Sequence, residues 1–141
     1  MRLPRFAASI LDAIARIKNR FRSGPDHLRL GKLGEDLAVN RLKAEGYRIV
    51  ERNLKVAGRE VDVVAVEKDY LVFVEVKTRK DASFGPPLLA VDPKRRARLR
   101  KAAQIFAMQK KLSGVSIRFD VVTVDFCEDP AGKVELIRNA F

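Results

Sequence analysis

The sequence predicts a single α/β domain, and three observations carry that prediction. Runs rich in valine, isoleucine and phenylalanine, the composition of buried strands, recur at Tyr47–Leu54, Gly58–Lys80 and Val115–Phe126. Stretches with helical periodicity alternate with them, over residues 32–45 and again after Asp92-Pro93. The chain has 141 residues with 47% apolar side chains, which suits one domain with a true core at roughly 100–200 residues per domain. No internal repeat or low-complexity segment interrupts it.

Charge narrows the partners. Lys and Arg number 29 against 18 Asp and Glu, leaving +11 with the single histidine neutral. A balance of that size favours nucleic acid or an anionic membrane surface. Cys127 is the only cysteine, so a disulfide framework and a cysteine zinc cluster are excluded. His27 alone argues against histidine metal sites and Ser-His-Asp chemistry. Cys127 is expected semi-buried and inert, and His27 a solvated loop residue. Any catalysis falls to carboxylates, lysine and a hard metal ion.

Taken in order, residues 1–29 read as a basic N-terminal extension. Phe6, Ile10, Ile14, Ile17 and Phe21 fall near helical spacing among arginines and lysines. Three readings stay open: a mobile arm touching phosphates, a helix on a membrane surface, or an extension packed weakly on the domain. Its apolar run is short and broken by Asp12, so neither a spanning helix nor a signal peptide is expected, and the expected location is cytoplasmic. Ser23–Asp26 (SGPD) links it to the domain proper, residues 30–141.

Residues 32–45 form the first helix of the domain, with Gly46 as its C-terminal cap. At about 100° per residue, Glu35 falls between Leu42 and Val39, while Asp36, Asn40 and Lys43 share a polar face. Glu35 either reaches a site or supports the first helical turn, where negative charge is favourable. Tyr47–Leu54 is a strand, and Lys55–Arg59 turns the chain.

Gly58–Lys80, GREVDVVAVEKDYLVFVEVKTRK, reads as a hairpin with Glu60, Asp62, Glu75 and Lys77 set among valines. A buried carboxylate is costly unless paired, hydrogen-bonded or bound to a metal. With Lys68–Asp69 as a two-residue loop, Glu67 faces Tyr70 and Asp62 lies opposite Glu75, where like charges repel. Lys77 shares the strand face of Glu75, so the alternatives are a catalytic cluster or a cross-sheet ion pair. A longer loop would offset the two acids.

Asp81–Pro93 is loop-rich and runs past the site. Asp92-Pro93 starts a helix, an N-cap followed by proline at the first helical position. Leu99, Ala102, Ala103 and Phe106 face its core side. From Lys94 to Lys111 this segment carries eight cations and no acid. Lys94, Arg95 and Arg96 occupy the first turn, where the helix dipole disfavours them, so either an anion binds there or the face is simply solvated. Residues 115–126 form a long strand whose Asp120 pairs with an arginine, and Lys133–Arg138 closes the sheet at an edge.

Two carboxylates and a lysine suffice for metal-assisted phosphodiester hydrolysis. The acids hold Mg²⁺ (or Mn²⁺), and the lysine orients the attacking water or steadies charge on the phosphate. Asp62 followed by Glu75-Val76-Lys77 resembles the PD-(D/E)xK signature of restriction-endonuclease-like nucleases. The wider pattern is similar to the YraN-like family, related to archaeal Holliday-junction resolvases. It is carried by Gly34-Glu35, Gly46-Tyr47, Arg52-Asn53, Glu60-Val61-Asp62, Phe73–Arg79, Asp92-Pro93-Lys94, Arg118–Val122 and Asn139-Ala140-Phe141.

The resemblance implies a restriction-endonuclease-like core, a central mixed β-sheet flanked by α-helices. It makes Asp62 and Glu75 the metal ligands, Lys77 the catalytic lysine and Glu35 an accessory acid. Val61 stands where the generic motif has proline, and Glu60 is a further acid beside Asp62. Arg79, Lys80, Lys94, Arg95, Arg96, Arg98 and Lys101 would track phosphates with little base readout. The function implied is a metal-dependent endonuclease acting on DNA, on branched or recombination structures. A homodimer is expected because paired cuts need two sites. The alternative is a catalytically inactive nucleic-acid-binding protein of the same fold.

Overall fold

Ala38, Val39 and Leu42 recur at helical spacing and give the first described helix one buried stripe. The structure is a computed structural model that describes residues 29–80 and 92–141. The basic extension up to residue 28, its linker, His27 and the loop over residues 81–91 lie outside the described residues.

Helix α1 spans Arg29–Ala44 and so begins earlier than the periodicity predicts. Glu35 therefore lies in its second turn, which removes the reading of Glu35 as a first-turn charge. The helix closes as expected at Gly46, whose φ of 95 suits glycine. Gly46 N–H donates to Lys43 O and Tyr47 N–H donates to Leu42 O, the two bonds of a Schellman motif.

The strands follow as β1 (Arg48–Val56), β2 (Arg59–Glu67) and β3 (Tyr70–Arg79). Helix α2 (Pro93–Gln109) precedes β4 (Ser116–Asp125) and β5 (Lys133–Ile137). They form one five-stranded sheet in the order β1-β2-β3-β4-β5. All neighbours are antiparallel except β3 and β4, which run parallel. Parallel neighbours require a crossover, and the segment containing α2 supplies it. The fold is thus α/β with a mixed sheet and a helix on each face, as a restriction-endonuclease-like core requires.

The first turn is tighter than expected. Strand β1 continues to Val56, leaving only Ala57 and Gly58 between the strands, both at positive φ. That is the geometry of a two-residue hairpin whose twist matches its strands. Residues Lys55, Val56 and Arg59, expected in the turn, belong to the strands instead.

Each face of the sheet has its own helix. α1 packs through Ala38 and Leu42 on Val63, Val72, Val74 and Val122. α2 packs through Leu99, Ala102, Ala103 and Phe106 on Val61, Val64, Leu71 and Phe73, the contacts its periodicity predicts. Phe73 and Phe106 meet edge to face at 5.7 Å.

Val61 and Val63, two residues apart, belong to opposite faces, so strict alternation fails at Asp62. Across the ladder, between the pairs Leu54–Val61 and Arg52–Val63, Asn53 has φ 52. β1 also carries a register shift between Ile49 and Glu51. These irregularities set Asp62 at a seam between the two packed faces. Among the described residues, no helix is long and apolar enough to cross a membrane.

Candidate functional site

The site begins with hairpin register. Lys68–Asp69 is the two-residue turn, Glu67 pairs with Tyr70, and the ladder runs to Val63–Val74. One step further, the same register sets Asp62 against Glu75, as the sequence predicts. The ladder ends there. Val76 N–H, beyond the last paired residues, donates to Asp62 Oδ2 at 2.8 Å.

Glu75 is 2% exposed and Lys77 Nζ lies 3.5 Å from its Oε1. The ion-pair reading of Glu75–Lys77 therefore holds as geometry, but in a buried setting rather than on a solvated face. Arg95 is a second partner, reaching across from the first turn of α2. Its Nε donates to both Glu75 oxygens at 3.1 Å, and its Nη2 donates to Oε2 at 3.0 Å.

That contact answers a question posed by the sequence. A cation on the first helical turn is disfavoured by the dipole. Asp92 Oδ1 caps the helix by accepting Arg95 N–H at 2.8 Å, and the Glu75 carboxylate offsets the charge of the Arg95 side chain. For Arg95, the anion at this helix end is part of the protein.

Burial, reinforced by the Glu75 carboxylate, pushes the Asp62 carboxyl up to about 7; the Val76 hydrogen bond opposes the rise, and Glu35 adds to it. Glu35 is also raised, because burial outweighs its hydrogen bond with Asn53 and the charge of Arg52. Glu35 reaches this field because α1 lies close on β3. A Cβ at Gly34 would collide with the Thr78 hydroxyl, so glycine is what permits the approach. Glu60 is exposed, and its charge is felt by both Glu35 and Arg95.

Glu35, Glu60, Asp62, Glu75 and Lys77 thus share one electrostatic neighbourhood. Among the described residues no three Asp, Glu, His or Cys side chains form a cage for a metal ion. Mg²⁺ does not need one, since it usually takes one or two carboxylates and keeps several waters. Two hard oxygen donors, Asp62 with its proton affinity raised beside Glu75, suit such an ion. Arg95 now holds both oxygens of one of them.

The cations expected to track phosphates divide in two. Lys80, Lys94, Arg98 and Lys101 are exposed. Arg79 lies 3.3 Å from Asp125, Arg95 is on Glu75, and Arg96 stacks over the Phe141 ring at 5.3 Å. Arg95 and Arg98 line a cleft of about 460 Å³ together with Ala57, Gly58, Arg59 and Glu60. Cys127, expected semi-buried, is exposed just beyond the end of β4.

Asn53 carried no role from sequence, and Arg95 was expected on phosphate rather than on Glu75. Asn53 supports Glu35 from the left-handed region, which Asn tolerates better than most residues. An Asn inside a strand run was its only signal. For Arg95 the signal was its unfavourable place on the helix dipole.

A family model described as "Uncharacterised protein family UPF0102" matches residues 34–124, a span that includes every acid of the site. The chain is 45% identical over 112 residues to a UPF0102 protein of Geobacter sulfurreducens, covering 79% of this chain and 88% of that one. It is 46% identical over 113 residues to one from Desulforapulum autotrophicum, covering 80% and 93%. Identity to one from Dictyoglomus turgidum is 41% over 115 residues, covering 79% and 96%.

Proposed function

The chain belongs to the UPF0102 family, and from its site we propose that it is a metal-dependent endonuclease that hydrolyses phosphodiester bonds in DNA. The observation that carries this reading is the end of the β2–β3 ladder. There the carboxyl of Asp62, pushed up to about 7, meets buried Glu75, with Lys77 Nζ 3.5 Å from Glu75. Two acids and an ammonium on adjoining strands also resemble the PD-(D/E)xK arrangement of the sequence motif.

Asp62 and Glu75 would hold Mg²⁺ or Mn²⁺. Such an ion, when bound, polarises the phosphate and acidifies the attacking water. Lys77, anchored by Glu75, steadies the negative charge that develops on the phosphoryl group. Glu35, fixed by Asn53 and the Gly34 contact, adds negative charge beside Asp62 and is the accessory acid. Exposed Lys80, Lys94, Arg98 and Lys101 draw in the backbone, giving salt-sensitive binding with little sequence preference. The likeness to Holliday-junction resolvases extends the reading to branched DNA cut by a homodimer.

A second reading, a nucleic-acid-binding protein that does not cut, draws on the Arg95 guanidinium over Glu75. One experiment separates them. Purified protein with Mg²⁺ or Mn²⁺ is incubated with branched and single-strand-containing DNA, and nicking is expected. Asp62→Asn and Lys77→Ala should abolish nicking while binding survives. Equal nicking by these variants would sink the nuclease assignment, and binding without cutting across metals and substrates would establish the second reading.

A further inference from the structure

Arg95 occupies the place where a cation of the Asp62–Glu75 site belongs. Its fork engages both Glu75 oxygens at 3.0–3.1 Å, the bidentate geometry that guanidinium favours with carboxylate. A divalent ion needs one of those oxygens at about 2.0–2.1 Å, and two cations cannot share it without strong repulsion. Glu75 is 2% exposed, so it needs a counter-charge at all times. Lys77, with Nζ 3.5 Å from Oε1, supplies one part of that charge and Arg95 the other.

The structure also offers Arg95 another place. The side chain borders the cleft formed by the Ala57–Gly58 turn, Arg59, Glu60 and Arg98, and its Nη2 is 3.5 Å from Glu60 O. Released from Glu75, the Arg95 guanidinium would turn its charge into this cleft, beside Arg59 and Arg98. Three guanidiniums there outnumber the single Glu60 carboxylate and favour a further anion, and a nucleic-acid phosphate has the matching chemistry.

We propose that Arg95 is a latch: its guanidinium closes the Glu75 ligand position until a divalent cation displaces it into the neighbouring cleft, where it joins Arg59 and Arg98 in gripping a backbone phosphate. The inference rests on Asp62 and Glu75 being the metal site. Metal and nucleic acid then tighten each other's binding, since coupling between two sites is reciprocal. Free protein is guarded against idle metal loading. Arg95 is a positioning residue, acting through Glu75.

The test measures Mn²⁺ binding to the full chain by titration calorimetry, without DNA. Arg95→Gln is expected to bind Mn²⁺ roughly tenfold more tightly than the native protein, and Arg95→Lys to fall between. Either variant suffices, and a circular-dichroism melt establishes that it is folded. In a Lys77→Ala background, Mg²⁺ should tighten binding of a labelled oligothymidylate by anisotropy, and Arg95→Gln should remove that enhancement. Unchanged or weaker Mn²⁺ affinity on replacing Arg95, with binding still lost in Glu75→Gln, overturns the latch and leaves the metal site standing. No Mn²⁺ binding in any form overturns both.

Discussion

Two charged clusters lie at opposite ends of the central hairpin, and they use the same residue types to different ends. Near the Lys68–Asp69 turn, Arg118 Nε donates to Asp120 Oδ1 at 2.8 Å and its Nη2 donates to Glu67 Oε1 at 2.7 Å. The Tyr47 hydroxyl donates to Asp120 Oδ2 at 2.6 Å, and Arg138 Nη2 donates to Glu67 Oε2 at 2.9 Å. Two acids meet two arginines. Burial works against the Glu67 carboxylate, but hydrogen bonds from Arg138 and Arg118 outweigh it and hold its pKa below the ordinary value. At the far end, Asp62 is pushed up to about 7 by burial and by Glu75. One cluster is satisfied within the protein. The other carries an acid whose charge the protein does not fully compensate, and such perturbed groups gather where chemistry is done.

That contrast places the largest stability loss in the satisfied cluster. Asp120→Ala would remove a fully buried carboxylate, its bonds to Arg118 and the Asn139 N–H bond at 2.9 Å, at a cost of about 3–5 kcal/mol. Urea denaturation at pH 8 measures it. The same experiment on Asp62→Asn should show no comparable loss, and a large one would erase the distinction between the clusters.

Cleavage should invert the ranking. Asp62→Asn or Lys77→Ala should lower the DNA-nicking rate by at least about 10²-fold, the scale of losing an electrostatic contact made in the transition state. Glu67→Gln should act on stability alone. A matched fall in rate for Glu67→Gln would mean that the two ends are not functionally separate.

The next effect is a pH dependence of stability. Asp62 has a folded pKa of about 7, above its ordinary 3.8, so the folded protein binds the proton more tightly. Its contribution is fully present below about pH 3.8 and disappears as pH rises through about 7. The loss is on the order of 1–3 kcal/mol. Asp62→Asn should remove this component, leaving the variant relatively more stable at pH 8 than at pH 5. Identical pH profiles for variant and native protein would refute it.

The smallest change tests the exposed cations. Arg98→Ala should weaken DNA binding modestly for all sequences alike and lower the magnitude of the salt slope by about 1. An anisotropy titration at several salt concentrations reads it.

How much of this was legible follows from the range of each interaction. The two-residue turn fixes the hairpin register, so the opposition of Asp62 and Glu75 could be read locally. The α2 core residues followed from their helical period, and the start of that helix from Asp92-Pro93. The Arg95–Glu75 contact spans a crossover whose packing no local pattern encodes. The Tyr47, Glu67, Arg118, Asp120 and Arg138 network joins residues 71 and 73 positions apart, so only the Asp120–Arg118 pair was in reach. Glu35 was read correctly as facing the apolar side, while Asn53 was invisible because its role depends on a backbone φ that strand patterns do not announce.

The irregular outer strand has a consequence for assembly. β1 lies at the sheet margin, where unpaired N–H and C=O groups normally invite another chain to add on. The slip between Ile49 and Glu51 and the left-handed Asn53 interrupt that row. A neighbouring copy meets a broken template there, and strand-to-strand extension is discouraged. The irregularity that seats the acid also keeps this margin from becoming a seam for aggregation.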